Sequence, residues 1–290
     1  MLLIDGKKSA LKVHESIRDT LTKTQFSRKP GLAFILIGED PASFSYVKMK
    51  GKACEDVGIH SKKIFLPELV TLDHLLNTIR ELNHDPTIDG ILIQQPLPIH
   101  IPTYRVVEAI DPAKDVDGFH PLNLGKLIVQ DHSGFIPCTP LGIIKLFEDY
   151  NITCENKHVV ILGRSQIVGK PLANLLFQKR PHCNGTVTLC HSGTPHLSDY
   201  TTKADILIVA IGKSNFIKAA DIKEGAIVID VGINRTTISG ESKITGDCDF
   251  DSISSKVKAI TPVPGGVGPM TIAMLCANTL KSFLSKEALS

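Results

Sequence analysis

The chain has 290 residues, of which 42% are hydrophobic and 21% charged, and its 32 Lys+Arg against 30 Asp+Glu leave a formal charge of +2. That length exceeds one ordinary domain and predicts two with real cores. So small a charge excess excludes nucleic acid or a membrane surface as a partner recruited by bulk electrostatics.

The N-terminus, MLLIDGKK, reaches charge at Asp5 and lacks the apolar core of a signal peptide. Runs such as 32–37 and 206–211 are too short to span a bilayer. A soluble, cytoplasmic protein without a membrane partner is expected. The seven cysteines, at 54, 138, 154, 183, 190, 248 and 276, include no Cys-x-x-Cys pair. They predict buried free thiols in a reducing compartment rather than a disulfide framework or a zinc cluster, and no metal site is expected.

Short β-branched runs alternate with stretches of helical period almost from end to end. In the first half, 32–38, 62–68 and 89–97 read as strands, and 7–24, 42–57, 71–84 and 102–110 as helices. A helix from about Thr139 to Tyr150 follows two prolines and marks the boundary. Strands are then expected at 157–163, 186–191, 204–212, 225–233 and 259–263, followed by an amphipathic C-terminal helix. Strands apolar on both faces and separated by helices imply parallel sheets covered on both sides. The fold class is therefore α/β in two domains with parallel-type sheets, the C-terminal one Rossmann-like. The expected division is 1–140, with the C-terminal helix 270–290 returning to it, and 141–269.

In PASFSYVKMKGKACEDVG, helical spacing puts Phe44, Val47, Gly51, Cys54 and Gly58 or Val57 on one apolar stripe. Tyr46 and Lys50, at i and i+4, share a face beside it, whereas Lys48 and Lys52 point to solvent. Lys50 is thus a candidate half-buried lysine for acid–base work, its stem snorkelling along the surface being the alternative. Gln94 and Gln95 close the third strand, at the end where parallel sheets bind ligands. The following loop carries Asp111, Asp115 and Asp117. Its spacing is not that of a calcium loop, and a carboxylate reading a guanidine-like edge, such as a pterin, is an equally simple use.

In the second half, Gly163 ends a strand and Gly169 opens a helix, with Arg164 and Ser165 in the turn. The Gly-x-Gly-x-x-Gly fingerprint is absent, yet a glycine turn leading into a helix N-terminus still offers N–H groups to an anion. After the next strand come His191, Ser192 and Thr194, where an acidic residue would favour NAD. Their lack of negative charge, with Arg164 nearby, tilts the expected cofactor to NADP. Gly212 and Gly232, with Ile233 after the latter, let a flat ring approach the backbone at the next two strand ends. Pro264, Gly265 and Gly266 form a further turn that exposes backbone before the last helix.

Taken in order, SYVKMKGKACEDVGI, DGILIQQPLP, DPAKDVDGFHPLNLGKL, FIPCTPLGI, GRSQIVGKP, TVTLCHSGT, GAIVIDVGIN, GDCDF and ITPVPGGVGPMTIAML make the whole chain resemble the bifunctional methylenetetrahydrofolate dehydrogenase/cyclohydrolases, the FolD type. The resemblance implies oxidation of 5,10-methylenetetrahydrofolate with NADP and hydrolysis of the methenyl product to 10-formyltetrahydrofolate. This is one-carbon metabolism that feeds purine biosynthesis. It implies Lys50 as the catalytic lysine, Tyr46 packing on the folate rings, Gln94 holding the lysine and Asp117 anchoring the pterin. Pro264, Gly265 and Gly266 would touch folate, and Gly163, Arg164, Ser165, His191, Ser192, Gly212, Gly232 and Ile233 would hold NADP. A homodimer through the cofactor domain, with the folate cleft between domains, is also implied.

Two departures stand out. Gly193 replaces the basic residue that often follows the serine of CHS, leaving Arg164 to carry the preference for a 2′-phosphate. Gln95 stands where leucine is common. Among other readings, Tyr46-x-x-x-Lys50 mimics the short-chain dehydrogenase pair, but the cofactor glycines there precede that pair. A shikimate- or amino-acid-dehydrogenase-like enzyme is opposed by KDVDG and PGGVGP. A non-catalytic folate- or nucleotide-binding protein is opposed by the intact Lys50 and Gln94.

Overall fold

A computed structural model describes residues 1–24, 26–238 and 241–288, with 237–238 and 241–242 by backbone alone. Its strands are β1 (Leu2–Leu3), β2 (Gly31–Ile37), β3 (His60–Leu66), β4 (Gly90–Ile93), β5 (His158–Leu162), β6 (Thr186–Cys190), β7 (Ile206–Val209), β8 (Ile227–Asp230), β9 (Asn234–Ile238), β10 (Glu241–Thr245) and β11 (Ala259–Ile260). They fall in two compact units. One comprises Leu11–Cys138 with Ile272–Ser290, the other Met1–Ala10 with Thr139–Thr271. The two-part α/β reading holds, but the first ten residues group with the second half rather than with 11–138. The last two residues of the expected 270–290 segment lie outside the described residues.

The Leu11–Cys138 unit is built on a three-stranded parallel sheet in the order β3-β2-β4. All seven residues of β2 are buried, as expected of a central strand covered on both faces. The Pro41–Asp56 helix starts under two local rules: Pro41 occupies the first position, and the Asp40 carboxylate accepts the Ser43 N–H at 2.7 Å. Its buried face is Ser43, Val47, Gly51 and Cys54. The expected stripe is therefore wrong at one position. Phe44 is 51% exposed and stacks on Phe65 instead, centroids 5.6 Å apart. Small residues face inward because the helix lies close to the sheet: a Cβ on Gly51 would meet the end of the Lys63 side chain.

The C-terminal helix Val267–Glu287 joins this unit from Ile272 onward, as expected. Asn278 donates to the carbonyls of Val116 and Ile136 at 2.8 and 3.1 Å, and Ser282 to those of Asp89 and Ala113 at 2.6 and 2.8 Å. Phe283 packs edge-on against Phe26, with the Arg28 guanidinium over its ring. The fully buried Asp89 carboxylate accepts both Arg28 Nη atoms at 2.6 and 2.9 Å, the Gly31 N–H at 2.9 Å and Lys286 Nζ at 3.1 Å. Burial alone would raise its pKa, but the Arg28 and Gly31 bonds and the Lys286 charge bring it below the usual value.

The second unit carries a six-stranded sheet in the order β1-β11-β8-β7-β5-β6, parallel throughout. Its other five strands answer to the five expected, each shorter than expected. β1 was not foreseen. It adds to the edge through Leu2 N–H to Lys258 O and Ile4 N–H to Ile260 O, both 2.8 Å. The antiparallel pair β9–β10 and the Pro121–Ile128 helix were also not expected. All seven cysteines are buried and unpaired. Burial pushes the thiols of Cys154 and Cys183 up to about 12 and about 11, where thiolate chemistry is suppressed.

Replacing Asp89 with Ala should remove the acceptor shared by Arg28, Gly31 and Lys286 and cost about 2–4 kcal/mol. Urea denaturation of the variant measures this. A loss below about 1 kcal/mol would show the cluster to be no more than a surface ion pair.

Candidate active site

Within the Leu11–Cys138 unit, helix 41–56 and the end of β4 bring the expected chemistry together. Lys50 Nζ donates to Gln94 Oε1 at 3.0 Å. The Gln94 amide cannot turn freely, because its Nε2 donates to the Gln95 carbonyl at 2.7 Å, which leaves Oε1 aimed at the lysine. One of the three ammonium donors is thus committed, and the others can meet a ligand. Lys50, Gln94 and Tyr46 are all partly exposed, whereas Lys48 and Lys52 face solvent.

The three loop aspartates separate by role. Asp111 accepts the Ala113 N–H at 2.8 Å and shapes a turn. Asp115 is buried and receives the N–H groups of Gly118, Phe119 and His120 and the Asn123 amide, at 2.8–3.2 Å. Burial raises its pKa to about 6 despite these donors. Asp117 remains as the carboxyl on which the Lys50 charge acts. As a residue it keeps some solvent exposure, but its carboxyl lies deep enough that burial raises its pKa, opposed by the Lys50 charge and the Cys138 thiol. Asp117 also lines a cavity with Ile93, Gln95, Leu97, Thr103 and Phe119. Gln95, the unusual residue, therefore faces the same space as Asp117.

The second unit assembles a different kind of site. Gly163 has φ +117°, and a Cβ there would overlap the Ala210 carbonyl. Gly169 lies so close to the Gly163 carbonyl that it too admits no side chain. The helix Gly169–Leu176 thus starts directly against the end of β5. Ser165 Oγ accepts the N–H groups of Val168 and Gly169 at 3.1 and 3.5 Å, so this hydroxyl shapes the turn, while Arg164 is exposed. At the end of β6, Thr194 Oγ1 accepts the His191 N–H at 2.9 Å, and His191 Nδ1 accepts that of Gly193 at 3.0 Å. Two of the three polar groups expected at this strand end therefore hold the turn, and Ser192 is exposed. Gly212 has φ +67° and open space where a Cβ would lie. Ile233, 47% exposed, follows Gly232. A glycine cradle, a helix N-terminus, an exposed guanidinium and no acid at the end of β6 fit a phosphorylated dinucleotide. Pro264, Gly265 and Gly266 belong to this unit. Gly265 (φ +111°) accepts the Lys7 N–H at 3.2 Å, and Gly266 packs against Gly6.

Residues 137–287 match the tetrahydrofolate dehydrogenase/cyclohydrolase NAD(P)-binding domain, and residues 4–117 match the catalytic domain of the same enzymes. The chain belongs to the tetrahydrofolate dehydrogenase/cyclohydrolase family. It is 51% identical over 289 residues to the bifunctional protein FolD of Chloroherpeton thalassium, 98% of each chain being covered. A solved structure of the bifunctional enzyme FolD from Campylobacter jejuni matches with a TM-score of 0.93 and 49% identity, covering 99% of both chains. The Trypanosoma brucei enzyme, complexed with NADP cofactor and inhibitor, matches with a TM-score of 0.93 and 33% identity over 99% of this chain and 98% of that one. This family member is accordingly a bifunctional enzyme, an oxidoreductase and a hydrolase.

Sequence reasoning missed two buried aspartates of the NAD(P)-binding unit, Asp230 and Asp247. The only signal was an acid in each of the motifs DVGIN and GDCDF, and local spacing gives no reason for burying either. Among the described residues no His/Cys/Asp/Glu group is arranged to hold a metal ion, and no helix is long and apolar enough to cross a membrane.

Lys50 opposes the upward push of burial on Asp117, so removing the cation should move that carboxyl further up. In Lys50→Met, folate-substrate binding titrated from roughly pH 5 to 8 should fall away at higher pH than in the parent enzyme. Coincident acid limbs would mean that the two groups do not interact.

Proposed function

We propose that this enzyme oxidises 5,10-methylenetetrahydrofolate to the 5,10-methenyl form with NADP and hydrolyses that product to 10-formyltetrahydrofolate. The observation that carries the reading is the 3.0 Å contact of Lys50 with an oriented Gln94, with the Asp117 carboxyl in the field of the same ammonium. The unit of Leu11–Cys138 and the returning C-terminal segment holds folate, and Thr139–Thr271 holds the cofactor.

Asp117 anchors the pterin by accepting from its guanidine-like edge, and Tyr46 packs on the folate rings. Pro264, Gly265 and Gly266 contribute backbone contacts to folate. Loss of hydride from the methylene carbon leaves a cation delocalised over the two flanking nitrogens, so this half-reaction needs orientation more than a strong base. Hydrolysis needs an activated water and managed proton transfers. Lys50, held by Gln94, supplies them.

NADP, when bound, accepts the hydride. Gly163, Arg164, Ser165, His191, Ser192, Gly212, Gly232 and Ile233 hold it. Arg164 is the exposed cation in the first turn, and Gly193 offers no second one, so the guanidinium carries the preference for the 2′-phosphate. The enzyme works in the cytoplasm as a homodimer and supplies one-carbon units to purine biosynthesis. The buried free thiols support a reducing compartment.

Lys50→Met should abolish cyclohydrolase activity and leave cofactor binding intact, and hydrolysis at the parent rate would end its role. In an absorbance assay with 5,10-methylenetetrahydrofolate, reduced cofactor should appear with NADP, with little methenyl product accumulating. Reduction with NAD instead would remove the phosphate preference, and none with either would sink the activity. Arg164→Ala should raise the KM for NADP about tenfold and change that for NAD little. Equal effects on both would take the 2′-phosphate away from Arg164.

A further inference from the structure

Asp247 follows β10 and is fully buried. Its Oδ2 accepts the backbone N–H groups of Ile211 and Gly212 at 2.7 and 3.0 Å. Its Oδ1 accepts the Lys213 N–H and the Asn234 side-chain amide, both at 2.8 Å. Three successive N–H groups of the turn after β7 thus converge on one carboxyl, an arrangement that elsewhere holds a bound anion. Here the protein's own side chain fills it.

The same carboxyl fills the space that a Cβ on Gly232 would need. One group therefore sets the turn after β7 and the turn after β8 against each other. Its own backbone is held in place. Asp230, at the end of β8, accepts the N–H groups of Gly232, Asp247 and Cys248 at 2.9, 3.0 and 2.9 Å. The Asp247 carbonyl in turn accepts the Phe216 N–H at 2.7 Å, and Ser214 and Thr245 join hydroxyls at 2.8 Å. The two turns carry Gly212 and Gly232, residues that constrain the backbone least.

We infer that Asp247 is a positioning residue for the dinucleotide: its carboxyl clasps the Ile211–Lys213 turn against Gly232 and so pre-forms the two strand-end turns that receive NADP. The inference rests on the proposed reading of Gly212, Gly232 and Ile233 as cofactor contacts. Without the clasp, both turns would have to be ordered by the ligand, and that ordering would subtract from its affinity.

Asp247→Asn tests this, because each carboxyl oxygen faces two N–H donors and an NH2 group in either place meets donors only. In the ligand-free variant, amide exchange at Ile211–Lys213 should quicken at least about tenfold. The Kd for NADP, by equilibrium titration, should weaken roughly tenfold. The KM for NADP should rise in step, kcat should fall less, and hydrolysis of the methenyl substrate without NADP should change less than about twofold. Asn234→Ala removes one donor and keeps the three backbone bonds. It should move exchange and NADP affinity in the same direction by less, and it carries the test if Asp247→Asn does not fold. Unchanged exchange in both variants would overturn the clasp. Faster exchange with unchanged NADP affinity would overturn the reading of Gly212 and Gly232 as contacts, and the positioning role with it. An equal fall in both activities would leave Asp247 a purely structural residue and overturn the inference.

Discussion

Every strand of the six-stranded sheet runs in one direction, and this constrains where its chemistry can be. A parallel strand cannot return to its neighbour through a tight turn, so each needs a crossover, and all the strands end along the same edge. Gly163, His191, Gly212 and Gly232 come from stretches far apart in the chain, yet each follows the end of a neighbouring strand of the set β8-β7-β5-β6. The three-stranded sheet obeys the same rule, which puts Gln94 just beyond β4. Both sites are consequences of strand direction. The residues along those edges would not share a site if one strand were reversed.

Buried carboxyls are the second recurring element. Asp89, Asp115, Asp230 and Asp247 are all buried, and each accepts several N–H donors. A carboxyl removed from water is tolerable only when its lone pairs are met by donors. Each of these four therefore organises backbone around itself: the start of β2, the loop before the Pro121–Ile128 helix, and the turns after β8 and β7. Asp117 differs in kind. The groups acting on its carboxyl are a thiol and an ammonium rather than a ring of backbone N–H groups, which suits the substrate-binding role proposed for it. The distinction between a structural and a chemical aspartate lies in its partners.

The two half-reactions place different demands on the protein, and the two units meet them with different materials. Hydride transfer is governed by placement, and the NAD(P)-binding unit offers glycine turns and backbone N–H groups, which are fixed in position and carry no titrating proton. Hydrolysis is governed by proton movement, and the Leu11–Cys138 unit offers an ammonium bonded to an oriented amide, with a buried carboxyl in the field of that ammonium. Small residues turn inward on the helix that carries Lys50, Gly51 lying against Lys63 of the neighbouring strand β3.

Much of this could be read from the amino-acid sequence alone. Continuous apolar, β-branched runs determined the parallel sheets, since only strands covered on both faces tolerate such sequences. Glycines after those runs marked the turns proposed to hold the cofactor, the i, i+4 spacing put Tyr46 beside Lys50, and the ordered motifs pointed to the family. Other features belonged to tertiary structure. Periodicity could not choose between Ser43 and Phe44 for the buried face, because the approach of helix to sheet depends on distant residues. Two leucines are too few to announce a strand, and β1 exists only because β11 has an open edge to pair with. Asp111, Asp115 and Asp117 look alike in a loop, and only the folded chain decides which of them receives backbone N–H groups and which is left in the field of a lysine. Local patterns determine which elements form. Burial and hydrogen-bond satisfaction are sums over residues remote in sequence, and they decide what each side chain is for.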